Sequence, residues 1–124
     1  IMDDENVSWE SGTVIYKFGE KSHYAYLLKK GAVEIFSENG TKVGFVNKDE
    51  VFGEQSILLN TLRTVTAVAS EKSEAIRIPQ ETLWKEFKET SILIKAILRS
   101  TYVRLTNLNN TITKDLKNYE ENNQ

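Results

Sequence analysis

Between Phe52 and Thr66 the chain reads Phe-Gly-Glu-Gln-Ser-Ile-Leu-Leu-Asn-Thr-Leu-Arg-Thr-Val-Thr, placing a glycine, an acid, a hydroxyl and one arginine in a single short segment. Gly53 lets backbone approach a ligand closely and adopts dihedrals that a side chain forbids. The run Gln55 to Leu59 suits about one turn of helix, whose first amides lack internal partners and favour an anion. The planar guanidinium of Arg63 can pair with phosphate oxygens as a fork. Glu54 would be repelled by that same phosphate, so its presence calls for a different partner. A sugar hydroxyl is the natural one, as for the acid that holds a ribose in dinucleotide folds. The segment therefore suits a small sugar phosphate. A competing reading makes Glu54 and Arg63 a structural ion pair, with Gly53 a bulge in a strand.

Little else in the chain offers chemistry. His23 is the only histidine and cysteine is absent, which leaves no basis for a thiolate nucleophile, a triad or a metal centre. His23, between Ser22 and Tyr24, reads as a solvated turn residue, and Lys29-Lys30 as a solvated strand end. With 16 Lys and Arg against 18 Asp and Glu, the formal charge is -2 and there is no basic excess of the kind nucleic-acid surfaces carry. Trp9, Trp84, Phe87 and the tyrosines accordingly read as packing groups. No apolar run approaches the roughly 20 residues of a membrane span, and Ile1 to Asn6 lacks the regions of a secretory signal. A cytoplasmic domain is the expectation, and Ile1 ahead of Met2 suggests a piece excised from a longer protein.

The elements that must position the segment are β first and α last. Val14 to Phe18 alternates in period two, bounded by Gly12 and Gly19. Tyr24 to Leu28, Ala32 to Phe36 and Thr41 to Val46 follow, with Asn39-Gly40 as a hairpin signal between the last two. Val51-Phe52, Thr64 to Ala69 and Ala75 to Ile78 complete the strands, so that Arg63 adjoins a strand start. Such short, regularly punctuated strands imply a sandwich or barrel rather than βαβ units. Pro79 stops the last strand. Leu83, Trp84 and Phe87 mark one side of a short helix, and Thr90-Ser91 offers caps for a longer one. Its stripe Ile94, Leu98, Tyr102, Leu105, Leu108, Ile112, Leu116 and Tyr119 is longer than one small β-domain can cover, which points to a partner chain.

Phe52-Gly53-Glu54, Ser56 to Leu59 and Asn60 to Thr66 together resemble the phosphate-binding cassette of cyclic nucleotide-binding domains, the family of the catabolite activator, the cAMP- and cGMP-dependent kinase regulatory modules and the cyclic nucleotide-gated channels. Gly12, Gly19 and Gly31 fall where that family has glycines framing its early strands, so the resemblance covers almost the whole chain. It implies a mainly β fold with C-terminal α: a β-roll (double-stranded β-helix, jelly-roll type) over about 7–78, then a short and a long helix. The helical lid or dimerisation segment would cover about 79–119 and a frayed tail 120–124, all within a single domain of 1–124.

Carried onto this chain, the resemblance implies that Gly53, Gln55 and Ser56 supply amides or a hydroxyl to the cyclic phosphate. Glu54 would take the ribose 2′-hydroxyl and Arg63 would neutralise the phosphate, with Thr64 and Val65 lining its other side. Val33 and Val43 would line the base pocket, and Asn107 or Asn109 would offer an amide from the lid helix. Charge-assisted hydrogen bonds contribute about 1.5–3 kcal/mol each and a micromolar complex needs about 8 kcal/mol, so two or three with base stacking suffice. Leu62 stands where many members have proline, leaving the turn before Arg63 less pre-organised. Thr64 occupies a position that leans toward cGMP in the kinase branch.

The function implied is a non-catalytic sensor of cAMP or cGMP, without cofactor or metal, transmitting through a hinge near Phe87 and the C-terminal helix, and forming a homodimer through that helix. The chain itself would contact neither nucleic acid nor membrane. Two alternatives are the sensor half of a catabolite-activator-type transcription regulator, whose DNA-binding part would follow, and a ligand-free dimerisation domain. A cupin-type metal site would need a histidine cluster that one histidine cannot supply.

Overall fold

The computed structural model describes residues 5–101, which fall in two compact units, one ending at Glu86 and the other beginning at Phe87. The first unit is built on two four-stranded antiparallel sheets. One has the order β1 (Asn6–Trp9), β8 (Ser73–Pro79), β3 (Tyr24–Lys30), β6 (Val51–Phe52); the other runs β2 (Val14–Tyr16), β7 (Thr66–Ala69), β4 (Val33–Phe36), β5 (Lys42–Val46). The chain crosses repeatedly between sheets, as expected of a β-roll, and Ser37 to Thr41 closes the β4–β5 hairpin through Gly40 N donating to Ser37 O at 3.0 Å.

Between the sheets lies an aromatic core. Tyr26 and Phe52 stack at 5.2 Å, Trp9 meets Tyr26 edge-on at 5.3 Å, and Tyr16 flanks Phe52 at 6.3 Å. Trp9, Tyr26 and Phe52 of one sheet and Tyr16 of the other pack in one cluster with the small Ala67 and Ala75 and the aliphatic Leu28, Val33 and Val46. Gly31, at φ 89°, sits so close to β8 that a Cβ there would lie 2.2 Å from Ser73 Oγ and 2.6 Å from Lys72 O, and only glycine fits. Alternation puts Ala25 and Leu27 of β3 on the opposite face. There, with Ile78, they are covered by Ile57 of α1 (Gln55–Leu58) and by Leu83 and Trp84 of α2 (Gln80–Glu89).

Element bounds differ from the sequence expectation at several places: β3 runs on to Lys30, β8 begins at Ser73, and three further differences have a visible cause. β1 was not foreseen, because Asn6–Trp9 shows only two apolar residues in alternation; it is a strand because it pairs with β8 in register Val7 to Ala75. β2 ends at Tyr16 rather than continuing to Phe18, since Lys17 N donates to Glu20 Oε1 at 2.6 Å and Glu20 N to Lys17 O at 3.2 Å, closing a turn. β7 begins at Thr66, not Thr64, because the backbone before it bonds elsewhere. In the second unit, residues 92–101 are helical, and Ser91 caps them as anticipated: its Oγ accepts from Ile94 N at 3.1 Å. The stripe from Tyr102 to Tyr119, the tail 120–124, and both Asn107 and Asn109 lie outside the described residues.

Candidate functional site

The segment from β6 to β7 folds as β6, a glycine, one turn of helix and an extended return. Gly53 takes φ 78°, and a Cβ added there would lie 2.9 Å from Arg63 Nη1 and 3.3 Å from Tyr16 Cε2. Its glycine identity thus follows from conformation and from space. Glu54 occupies the N-cap position of α1 without a side-chain cap bond to it. The helix closes through Asn60 at φ 55°, with Thr61 N donating to Ser56 O at 2.8 Å and Asn60 N to Ile57 O at 3.2 Å. That pair of bonds around a left-handed residue is a Schellman closure, with asparagine where glycine is usual. Leu62 replaces the family's proline with the return intact: Arg63 N donates to Glu20 O and Gly19 N to Arg63 O, both at 2.8 Å. These bonds to the β2–β3 turn, not sheet pairing, hold the Arg63 backbone.

Arg63 is 4 % exposed. Its Nη1 donates to Gly53 O at 2.6 Å and to Ser56 Oγ at 3.0 Å, its Nη2 donates to the Tyr24 carbonyl, and the guanidinium carbon lies 3.9 Å above the Tyr16 ring. Every acceptor is neutral, and Nε is buried without a partner among the described residues. Among the described residues the hydrogen bonds of Arg63 thus run to a hydroxyl and to backbone carbonyls, with Glu20 and Glu54 acting on it through their charge. Burial lowers its pKa from the ordinary arginine value, opposed by the nearby Tyr16, Tyr26, Glu20 and Glu54. Burial also pushes the Tyr16 phenol up to about 12, with the Arg63 charge opposing.

A cavity of about 190 Å³ opens beside this guanidinium. Gly53, Glu54, Gln55, Ser56, Arg63, Thr64 and Val65 all line it, so the structure brings the anticipated cassette residues around one space. Its remaining wall is apolar and was not anticipated: Tyr16, Ile35, Val46, Val51 and Phe52. Val33 is fully buried in the core and Val43 is 58 % exposed; neither lines the cavity. Register explains the difference. Val46 opposes Val33, and two-residue periodicity back from Val46 turns Gly44 inward and Val43 outward. Parity along β5 would have selected Val46 over Val43 from sequence, whereas Val33 shares its face of β4 with Ile35 and misses the cavity because it lies fully buried in the core.

A larger cavity of about 350 Å³ lies across α1, lined among others by Lys21, Ser22, His23, Gln80 and Trp84. Its charged groups are exposed, consistent with His23 as a solvated residue, and it contains no buried cation. Size alone does not make it the anion site; the desolvated charge of Arg63 marks the smaller space. No group of three or more potential metal ligands occurs among the described residues, and no described helix is long and apolar enough to cross a membrane.

The chain matches the cyclic nucleotide-binding domain family over residues 6–90, and it belongs to that family. It is 36% identical over 62 residues to a cAMP-dependent protein kinase regulatory subunit of Debaryomyces hansenii, covering 50% of this chain and 14% of that protein. It is 32% identical over 76 residues to a cGMP-dependent protein kinase of Eimeria tenella, covering 61% and 8% respectively. The chain thus spans a small fraction of these relatives. Among solved structures, the EAL enzyme Bd1971 in its cGMP-bound form superposes with TM-score 0.77 at 18% identity, over 90% of this chain and 31% of that one, which shows the shared fold.

Proposed function

We propose that this domain is a non-catalytic sensor that binds cAMP or cGMP in the Arg63 cavity and reports occupancy by moving its C-terminal helix. The observation that carries the reading is the buried guanidinium of Arg63 on the cavity wall, whose hydrogen bonds among the described residues go to neutral acceptors. A buried cation hydrogen-bonded only to neutral groups is costly, and a cyclic phosphate supplies a charged acceptor. Glu54, on the same wall, takes the ribose 2′-hydroxyl. The cavity is smaller than the roughly 300 Å³ at which small-molecule sites begin, so the roll holds phosphate and ribose while a lid from beyond it covers the base. Closure of that lid about a hinge near Phe87 is the transmitted event, a shift between two populations set by differential affinity. The apolar stripe of the long helix pairs two copies, which light scattering with and without nucleotide reads out.

Calorimetric titration with cAMP and cGMP in parallel tests the reading. Binding by wild type with loss in Arg63→Ala is the expected result; no heat with either nucleotide at millimolar concentration overturns it. Because Arg63 also satisfies the Gly53 and Tyr24 carbonyls, Arg63→Ala is expected to lower the unliganded melting temperature as well. The diagnostic quantity is therefore the ligand-induced shift in melting temperature. Arg63→Lys retains a charge but loses the fork and should recover little of it.

A further inference from the structure

Ser56 is buried in the wall that the two cavities share, and its hydroxyl has more partners than a cassette hydroxyl needs. Arg63 Nη1 donates to it at 3.0 Å, and the Ser22 hydroxyl lies 2.6 Å from it on the far side of the wall. Ser22 Oγ in turn stands 3.5 Å from Thr61 O, in the return that leads to Arg63. A guanidinium only donates, so it occupies one lone pair of Ser56 Oγ. Only one proton can lie between the two serine oxygens, and this leaves two arrangements. In one, Ser56 donates to Ser22 and Ser22 to the Thr61 carbonyl at the long limit of hydrogen bonding. In the other, Ser22 donates to Ser56, both Ser56 lone pairs are filled, and its own proton is available to an acceptor in the Arg63 cavity.

We infer that Ser22, outside the cassette, is a positioning residue for the phosphate: by donating to Ser56 it turns the Ser56 hydroxyl into a donor aimed at the bound anion. The inference rests on the reading of the Arg63 cavity as a cyclic-phosphate site. An anion there selects the second arrangement, since it accepts a proton and cannot donate one; the short Ser22–Ser56 bond is kept with its direction reversed, and only the long contact to Thr61 O is given up. The two hydroxyls then act as a unit. Ser22 contributes nothing that does not pass through Ser56.

The test is a double-mutant cycle read by calorimetric titration with cAMP and cGMP, with unliganded melting temperatures recorded for each variant. Ser56→Ala is expected to weaken binding about tenfold or more and Ser22→Ala about three- to tenfold, magnitudes of one charge-assisted and one neutral hydrogen bond. Ser22→Ala/Ser56→Ala should bind as Ser56→Ala alone, and Ser22→Thr should restore most of the wild-type affinity. Wild-type affinity in Ser22→Ala, or additive losses in the double variant, would overturn the relay while leaving the cyclic nucleotide reading in place. No binding by wild type would remove both.

Discussion

At residue 53 the constraint is double, dihedral and steric, and this gives its replacement a definite consequence. Alanine in the left-handed region costs about 1–2 kcal/mol, and its methyl would press on Arg63 Nη1 and the Tyr16 ring. Gly53→Ala should lower stability by about that amount and weaken cyclic nucleotide binding by displacing the guanidinium, as denaturant titration and calorimetry would show. Tyr16 has its own signature. The unfolded chain releases a phenol proton from about pH 10, whereas Tyr16 in the fold holds its proton to about 12. A raised pKa stabilises while the proton stays on, so the contribution is complete below pH 10 and is lost as pH rises through 12. Tyr26 is shifted in the same direction. Tyr16→Phe should therefore flatten part of the alkaline fall in melting temperature, by roughly 2 kcal/mol of stability at pH 12, with little change at neutrality. The cassette was legible from residue types because charge, hydroxyl and glycine are each needed there for a separate reason. The apolar wall was not, because Val46 differs from Val43 only by strand parity, and Ile35 differs from Val33, on the same face, only by its place along β4.

Among the elements, α1 shows how tertiary bonds replace propensity. Four residues cannot sustain a helix in water; this turn persists because Ile57 packs on Ala25 and Ile78 and because Asn60 closes it in the left-handed conformation. Asn60→Gly should be neutral to slightly stabilising, whereas Asn60→Val should cost about 1–2 kcal/mol, read from denaturant midpoints. The strand boundaries teach the same lesson. Phe18 continues the alternation of Val14 and Tyr16 yet leaves the sheet, and Thr64 precedes β7 rather than joining it. The Phe18 amide donates to the Thr66 hydroxyl at 3.0 Å instead of to a sheet carbonyl, and the backbone of Arg63, just before Thr64, is held by Glu20 O and Gly19 N of the β2–β3 turn. Periodicity records side-chain environment and carries no information about which carbonyl a given amide will find. The Ser91 cap, by contrast, is a local bond between near neighbours and could be read directly.

On the scale of the whole molecule, sequence pattern was sufficient for the class of architecture, because seven short strands with few residues between them, to which the structure adds β1, point to packed sheets or a barrel. The sheet order 2-7-4-5 and 1-8-3-6 was not legible, since it depends on which edges meet after collapse. That order leaves four strands at sheet edges, and they are unequal. β1, β2 and β6 have at most four residues, while β5 has five and carries Val43 and Phe45 outward, the latter 64 % exposed. A longer edge with apolar side chains is a template for a foreign strand. Lys42, held to Glu34 at 3.3 Å, is the charged residue on that strand. The colloidal behaviour of the domain is thus set by the outward face of β5, the strand whose inward Val46 lines the Arg63 cavity. Concentrated solutions should cloud through β5-to-β5 pairing, and Phe45→Lys should raise the concentration at which turbidity appears while leaving the melting temperature within a degree or two.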